Sequence, residues 1–197
     1  MCYVTHVATS SELQIASNLS QERAKIFLET RYYMRHALSA LFKVNPIKVP
    51  INAQPGEPPK LPNGMGYISI SHCKDAFIIG WHQKNIGIDI ERSDRDFNYK
   101  KLANKYFRQR NIKNSNLNRY SILKEWCAIE AAIKCDRGKL SRDIKKWKYQ
   151  INEENLYHKS KKIKLNLVQI PFLDWTISIA YKSKILHNLP KIICNNL

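Results

Sequence analysis

Acidic residues are scarce in this 197-residue chain: 16 Asp and Glu stand against 33 Lys and Arg, leaving a formal charge of +17. That imbalance points toward anionic partners (nucleic acid, acidic protein, a membrane surface or phosphorylated small molecules) without choosing among them. Long apolar runs are missing too. None approaches the roughly 18 residues of a membrane-crossing helix. Met1 to Ser20 lacks the basic start and apolar core of a secretory leader, so no membrane partner is expected. The five cysteines, Cys2, Cys73, Cys127, Cys135 and Cys194, are scattered, with no C-x-x-C pair. Neither a zinc site nor a disulfide framework is indicated, and reduced thiols in a cytoplasmic protein are the expectation. A P-loop, a G-x-G-x-x-G turn and an H-E-x-x-H helix are all absent. P-loop hydrolysis is thereby excluded, and a dinucleotide fold or a zinc hydrolase is left without support.

The remaining composition, 44% hydrophobic and 25% charged, is that of a globular protein. A helix is predicted over Ser20 to Phe42, with Ser20 as N-cap, Glu22 in the first turn, and Phe27, Met34, Leu38 and Leu41 on one stripe. Arg31 lies on that stripe and Arg35 follows one turn later. An arginine there must either snorkel to water or meet an anion. Six prolines and three glycines between Val44 and Gly66 mark an extended, functional-length loop. The period then drops to two. Strands are predicted over Tyr67–Ser71, Ala76–Trp81 and Ile86–Glu91, the last two joined as a hairpin through His82 to Asn85. Helices over Tyr99–Arg110 and Ser121–Lys134 flank a polar stretch from Asn111 to Asn118. Strands Trp147–Ile151, Ile163–Val168 and Trp175–Tyr181 complete the reading. Phe77–Trp81 is loosely echoed by Ile177–Tyr181, a hint of two similar subdomains.

Three groups of residues carry chemistry. In Ile86–Glu91 the isoleucines share one strand face, while Gly87, Asp89 and Glu91 share the other. Two carboxylates roughly 6–7 Å apart at their backbones can converge on one hard cation, with Gly87 leaving room for a ligand. The alternative is a strand with a solvated acidic face. Next, Trp126, Glu130 and Lys134 each stand one turn apart. Glu130 and Lys134 either form a surface i,i+4 pair or, since Trp126 marks a buried or pocket side, belong to a site. Lastly, Ser71 and His72 end a strand. As neighbours they point to opposite faces, so they fit phosphate-pocket lining better than a nucleophile and its base, the alternative being a hairpin-closing serine and a structural histidine.

Taken in order, the blocks Gly56–Pro59 (G-E-P-P), Ile68–His72 (I-S-I-S-H), Gly87–Glu91 (G-I-D-I-E) and Trp126–Lys134 (W-C-A-I-E-A-A-I-K) resemble the 4′-phosphopantetheinyl transferases of the Sfp type. The family pattern is close to G-K-P, S-x-S-H, G-[IV]-D-[IVL]-E and W-x-x-K-E-[AS]-x-x-K. The resemblance implies an α+β chain of two similar α+β subdomains, a pseudo-dimeric fold with the active site at their junction, divided here into 1–95 and 96–197. It implies Mg²⁺-dependent transfer of the phosphopantetheine arm of coenzyme A to a serine of an acidic acyl or peptidyl carrier protein, releasing 3′,5′-ADP, by a monomer. Asp89, Glu91 and Glu130 are the implied metal ligands. Glu130 also takes the serine proton, with Asp89 catalytic beside it. Lys134 contacts the pyrophosphate, Ser71 and His72 line the coenzyme A phosphates, and Arg31 or Arg35 reaches the 3′-phosphate. The sequence departs from the pattern at Glu57, where the family has lysine (so that a phosphate contact is either lost or moved to Lys60), and at Ile129. It departs again at Phe107–Asn111, where an expected acid is missing. On this reading Asp89 contributes charge and not core, so Asp89→Ala is expected to abolish transfer and spare the fold.

Two rivals come from the charge and from those departures. The nine basic residues between Lys139 and Lys164, with Trp147, Tyr149 and Tyr157 interleaved, would suit a nucleic-acid-binding module. That module would leave Asp89, Glu91 and Glu130 without a role. An inactive, transferase-like carrier-protein binder is the other.

Overall fold

A computed structural model describes residues 7–52, 54, 57–73, 76–107, 118–150, 153–182 and, as backbone, 191–196. The expected helix end at Arg110, the polar stretch as far as residue 117, Gly56 and Ile151 lie outside these residues. The fold mixes helices with two sheets, as an α+β class requires. By internal contact the chain divides into two compact units, Met1–Pro62 and Asn63–Leu197. The boundary falls at the end of the proline-bearing loop, upstream of the division at residue 95. Among the described residues no helix is long and apolar enough to cross a membrane.

The first unit is helical. α1 (Ser10–Ser17) is absent from the pattern reading, although Thr9 and Glu12 form a capping box in which each satisfies an amide of the other. α2 (Gln21–Phe42) begins after Ser20 as expected, but the Ser20 hydroxyl makes no capping bond. Phe27, Met34 and Leu38 are buried along the predicted stripe. The heads of Arg31 and Arg35 are turned onto Glu12 instead of water: Arg31 Nε lies 3.4 Å and Arg35 Nη2 3.1 Å from its carboxylate. All three residues are nearly sealed, at 6% (Glu12), 4% (Arg31) and 2% (Arg35) exposure. Arg35 Nη1 also donates to the carbonyls of Val49 (2.7 Å), Ile47 (3.2 Å) and Pro46 (3.3 Å). The carbonyls of the 3-10 turn Pro46–Lys48, and of Val49 just after it, thereby gain a buried donor. Burial pulls the Arg31 guanidinium below its ordinary range, and Glu12 counters it. Snorkelling is excluded for both arginines.

The second unit holds two antiparallel sheets. One contains β1 (Tyr67–Cys73), β2 (Ala76–His82) and β8 (Lys191–Asn196), in the order β1-β2-β8. The other orders β3 (Ile86–Arg92), β7 (Trp175–Tyr181), β6 (Ile163–Phe172), β5 (Asn155–His158) and β4 (Trp147–Gln150) side by side. The expected β2–β3 hairpin does not form. The two strands belong to different sheets, because β2 pairs with β1 and β8 while β3 pairs with β7. The short loop Gln83–Asn85 hands the chain from one sheet to the other. The edge strands β1 and β3 are stitched by side chains: the Ile88 amide donates to Ser69 Oγ at 3.0 Å.

Helices α3 (Tyr99–Tyr106), α4 (Arg119–Cys135) and the single turn α5 (Leu140–Asp143) complete this unit. α4 lies on the β3–β7 side of the large sheet with Cys127, Ala128, Ala131, Ala132 and Cys135 buried. Small side chains let the helix backbone come close, and Gly87 completes the fit. A Cβ there would fall on the Ala131 carbonyl oxygen and the Cys135 nitrogen. The space beside Gly87 is therefore filled by helix backbone, which corrects the expectation of ligand room. Gly87→Ala should cost about 1–3 kcal/mol, as overpacking does, and pull α4 away from β3. A urea midpoint equal to that of the parent chain would refute this contact. On the opposite face, Ile86, Ile88 and Ile90 join Ile78, Ile177 and Ile179 in a second core.

Candidate active site

Because α4 is seated on Gly87 through Ala131 and Cys135, the same helix turns present Glu130 and Lys134 to the carboxylate face of β3. Lys134 Nζ donates to Asp89 Oδ1 at 2.6 Å and to Ser71 Oγ at 2.9 Å. Ser71 Oγ donates to the same Asp89 oxygen at 2.7 Å. Residues from three sequence blocks, on β1, β3 and α4, thus meet in one hydrogen-bonded group. Asp89 is 3% exposed and Glu91 9%, so the face is not a solvated acidic one. Lys134 keeps 30% of its side chain exposed, which leaves the group a route to solvent.

The charges are not fully balanced. Asp89 Oδ2 is buried with no hydrogen-bond partner among the described residues. Burial raises the Glu91 carboxyl, and the Arg95 hydrogen bond at 2.7 Å opposes that rise. Glu130 is pushed up to about 7, first by burial and then by the charge of Asp89, with Lys134 acting against both. Burial works against the Lys134 ammonium, but Asp89 more than offsets it and the group is raised. Cys127, fully buried and donating to the Thr176 carbonyl at 3.4 Å, is raised well above the ordinary thiol range by burial and then by Asp89. It is an inert wall of the site.

Sequence reasoning found Ser71, Asp89, Glu91, Glu130 and Lys134, but not Arg95. The interval of four from Glu91 to Arg95 has no fixed meaning where a strand gives way to a turn, so no periodic signal marked it. Ser71 and His72 separate as adjacent strand residues must: His72 is exposed on the face away from Asp89. Arg31, Arg35 and Lys60 belong to the first unit, with Lys60 bridged to Asn52 in a short antiparallel contact. Trp126 is half-buried with its ring 5.7 Å from that of Tyr106. A cavity of about 340 Å³ opens beside it, lined also by Arg95, Phe97, Leu102 and Leu123.

Asp89, Glu91 and Glu130 carry oxygen donors, the chemistry a hard divalent cation takes. Mutual repulsion among Asp89, Glu91 and Glu130 is what an added positive charge would relieve. In the arrangement described, Lys134 and Arg95 supply that charge. Among the described residues no three His, Cys, Asp or Glu side chains stand at metal-holding spacing.

The basic stretch from Lys139 to Lys164 is partly neutralised by acids within and beside it. Arg142 and Lys146 bind Asp143, Lys161 binds Asp136, and Lys164 binds Glu153. Asp143, held also by the Lys139 amide, is lowered strongly, first by its hydrogen bond from Arg142. These pairs give at least four of the nine cations structural partners, which weakens the case for a dedicated nucleic-acid face. No protein-family model matches the chain, and no curated protein matches it.

Proposed function

We propose that this chain is a 4′-phosphopantetheinyl transferase of the Sfp type, acting on coenzyme A and an acidic acyl or peptidyl carrier protein. The observation that carries the reading is the joining of Ser71, Asp89 and Lys134 by hydrogen bonds of 2.6–2.9 Å. Each comes from a different block of the family resemblance, and blocks matched by chance have no reason to meet. In the reaction a carrier serine oxygen attacks the phosphorus bearing the pantetheine arm. The phosphoanhydride bond breaks, and 3′,5′-ADP leaves. Glu130 takes the serine proton, a task suited to a carboxyl whose pKa of about 7 lies near the working pH. Lys134 offers the pyrophosphate a point charge, and the apolar wall of the cavity beside Trp126 suits the uncharged arm. Asp89, Glu91 and Glu130 would hold Mg²⁺, which when bound supplies charge neutralisation at the breaking phosphoanhydride. The pseudo-dimeric two-subdomain architecture and a cytoplasmic location belong to the same proposal.

Incubation with coenzyme A, Mg²⁺ and a panel of apo carrier proteins tests it. Intact mass should show one phosphopantetheine added to a carrier, and no gain on any carrier would defeat the reading. The pH dependence follows from Glu130. Since the carboxylate form accepts the proton, the rate should rise through about pH 7 and level off above it. Raising Mg²⁺ from limiting to saturating should move the rise to lower pH, because a nearby cation favours the ionised form. Stability runs the opposite way. A carboxyl raised from 4.5 to about 7 holds its proton more tightly when folded, so its stabilising contribution is full below the unfolded value. It is lost as pH climbs to about 7. Glu130→Gln should therefore flatten the rate profile and melt above the parent at pH 8. A Gln variant melting below the parent there would contradict the raised pKa.

A further inference from the structure

Two positive side chains reach the carboxylate group, and they are held differently. Lys134 Nζ donates to both Asp89 Oδ1 and Ser71 Oγ, at 2.6 and 2.9 Å. It leaves Asp89 Oδ2 open, buried and without a hydrogen-bond partner among the described residues. A cation arriving at that oxygen has no need to dislodge Lys134.

Arg95 stands in its way. It lies just past the turn that ends β3, where its amide donates to the Arg92 carbonyl at 3.2 Å. Its Nη1 donates to Glu91 Oε2 at 2.7 Å, from a side chain 51% exposed onto one only 12% exposed. The Trp126 indole hydrogen-bonds the same carboxyl. Arg95 and Trp126 both line the cavity of about 340 Å³, whereas Asp89 and Glu130 do not. Glu91 is thus tied to two cavity residues. Among the described residues the acids do not stand at metal-holding spacing.

The pair is asymmetric in what each partner loses on separation. Released from Glu91, the half-exposed Arg95 head meets water, with the Phe97 ring 5.8 Å from its central carbon as a face to rest on. Glu91 is buried, and without Arg95 it needs another positive charge. A divalent cation shared with Asp89 and Glu130 supplies one. Glu91 cannot serve that cation and Arg95 together at full strength, because the two positive charges repel.

We infer that Arg95 is a latch on the cation site: it holds Glu91 out of the ligand set, and a divalent cation binds by displacing it. Arg95 is a positioning residue that acts through Glu91, and it lies outside the four blocks of the family resemblance. The role rests on the Mg²⁺ chemistry proposed above. The apparent affinity for the cation falls with the fraction of chains in which Glu91 is free, so a latch closed in about nine chains of ten weakens binding about 10-fold.

Mn²⁺ is the probe, a divalent ion that takes the same oxygen donors and whose free form is counted by electron paramagnetic resonance. It is titrated into the full chain without coenzyme A. One Mn²⁺ should bind and be displaced by Mg²⁺. Arg95→Ala should tighten Mn²⁺ by about 10-fold, and Arg95→Gln should act in the same direction, whereas loss of a merely structural residue would loosen it. In a Glu91→Gln background the gain from Arg95→Ala should fall below about 3-fold, because contacting residues are coupled and the latch acts through that carboxylate. Far-ultraviolet circular dichroism checks that each variant is folded. Unchanged or weaker Mn²⁺ binding in both Arg95 variants would overturn the latch and leave the transferase reading standing. So would a gain that persists in full in the Glu91→Gln background, which would be through-space charge alone. Absence of Mn²⁺ binding in parent and variants alike would remove the cation site and the latch together. If the Arg95 effect holds but no carrier is modified, the transferase reading fails alone.

Discussion

Asp89→Asn should abolish carrier modification, with a rate loss of about 10³-fold or more, while the chain stays folded. Removing one charged contact made at a developing phosphate charge costs about 10²–10³, and Asp89 also anchors Lys134 and Ser71. The amide oxygen of Asn preserves the acceptor that both donors use and removes only the charge. Asp89→Ala is a different experiment. The side chain is 3% exposed inside the β1–β3–α4 junction, so alanine leaves Ser71 without its acceptor and the half-buried Lys134 ammonium without its counter-charge. A loss of about 1–3 kcal/mol is expected from such unpaired groups. The expectation that alanine spares the fold is therefore revised: Asp89 supplies both charge and packing. Far-ultraviolet circular dichroism and a urea midpoint, run beside the intact-mass assay, separate the two effects. An Asn variant that keeps its rate would remove Asp89 from the chemistry.

Glu12→Ala should destabilise the chain by about 3–5 kcal/mol, the cost of stranding a buried charge when its partner is removed. Here two guanidiniums lose one carboxylate, at 3.4 Å (Arg31) and 3.1 Å (Arg35), and Thr9 loses its capping partner at 2.8 Å. Glu12→Gln keeps the cap and removes the charge, so it should fall between the parent and alanine. Thermal melts of all three proteins decide the matter. An alanine variant within 1 kcal/mol of the parent would mean that the pairs are as weak as exposed ones. The arginines' place in this triad also explains why they interrupt an apolar stripe without reaching water. Arg31 lies 4.3 Å over the Phe27 ring, so its plane packs as well as pairs.

Both halves of the candidate site were legible in the sequence to the extent that periodicity is local. Alternation along Ile86–Glu91 put Asp89 and Glu91 on one face because successive strand side chains point oppositely. The four-residue spacing of Trp126, Glu130 and Lys134 did the same on a helix. β7 was predicted with the bounds it has, and β1, β3, α2 and α4 to within two residues at either end. β5, four residues long, was lost among the basic residues around it, and α1 was missed although Thr9 and Glu12 carry a capping-box signature. The β2–β3 hairpin failed because loop length allows a hairpin but does not choose a strand's partner.

What the sequence by itself determined is which residues share a face: sterics between near neighbours set the strand period of two and the helix period of 3.6. Which faces meet was decided only in the tertiary structure, where α4 settles on Gly87 and closes the acidic face of β3 from above. Burial then gives each group its character. The same closure lifts Glu130 toward neutrality, sets Lys134 on Asp89 and brings Ser71 across from another sheet. Desolvation and charge coupling depend on atoms far apart in the chain, and no local period encodes them.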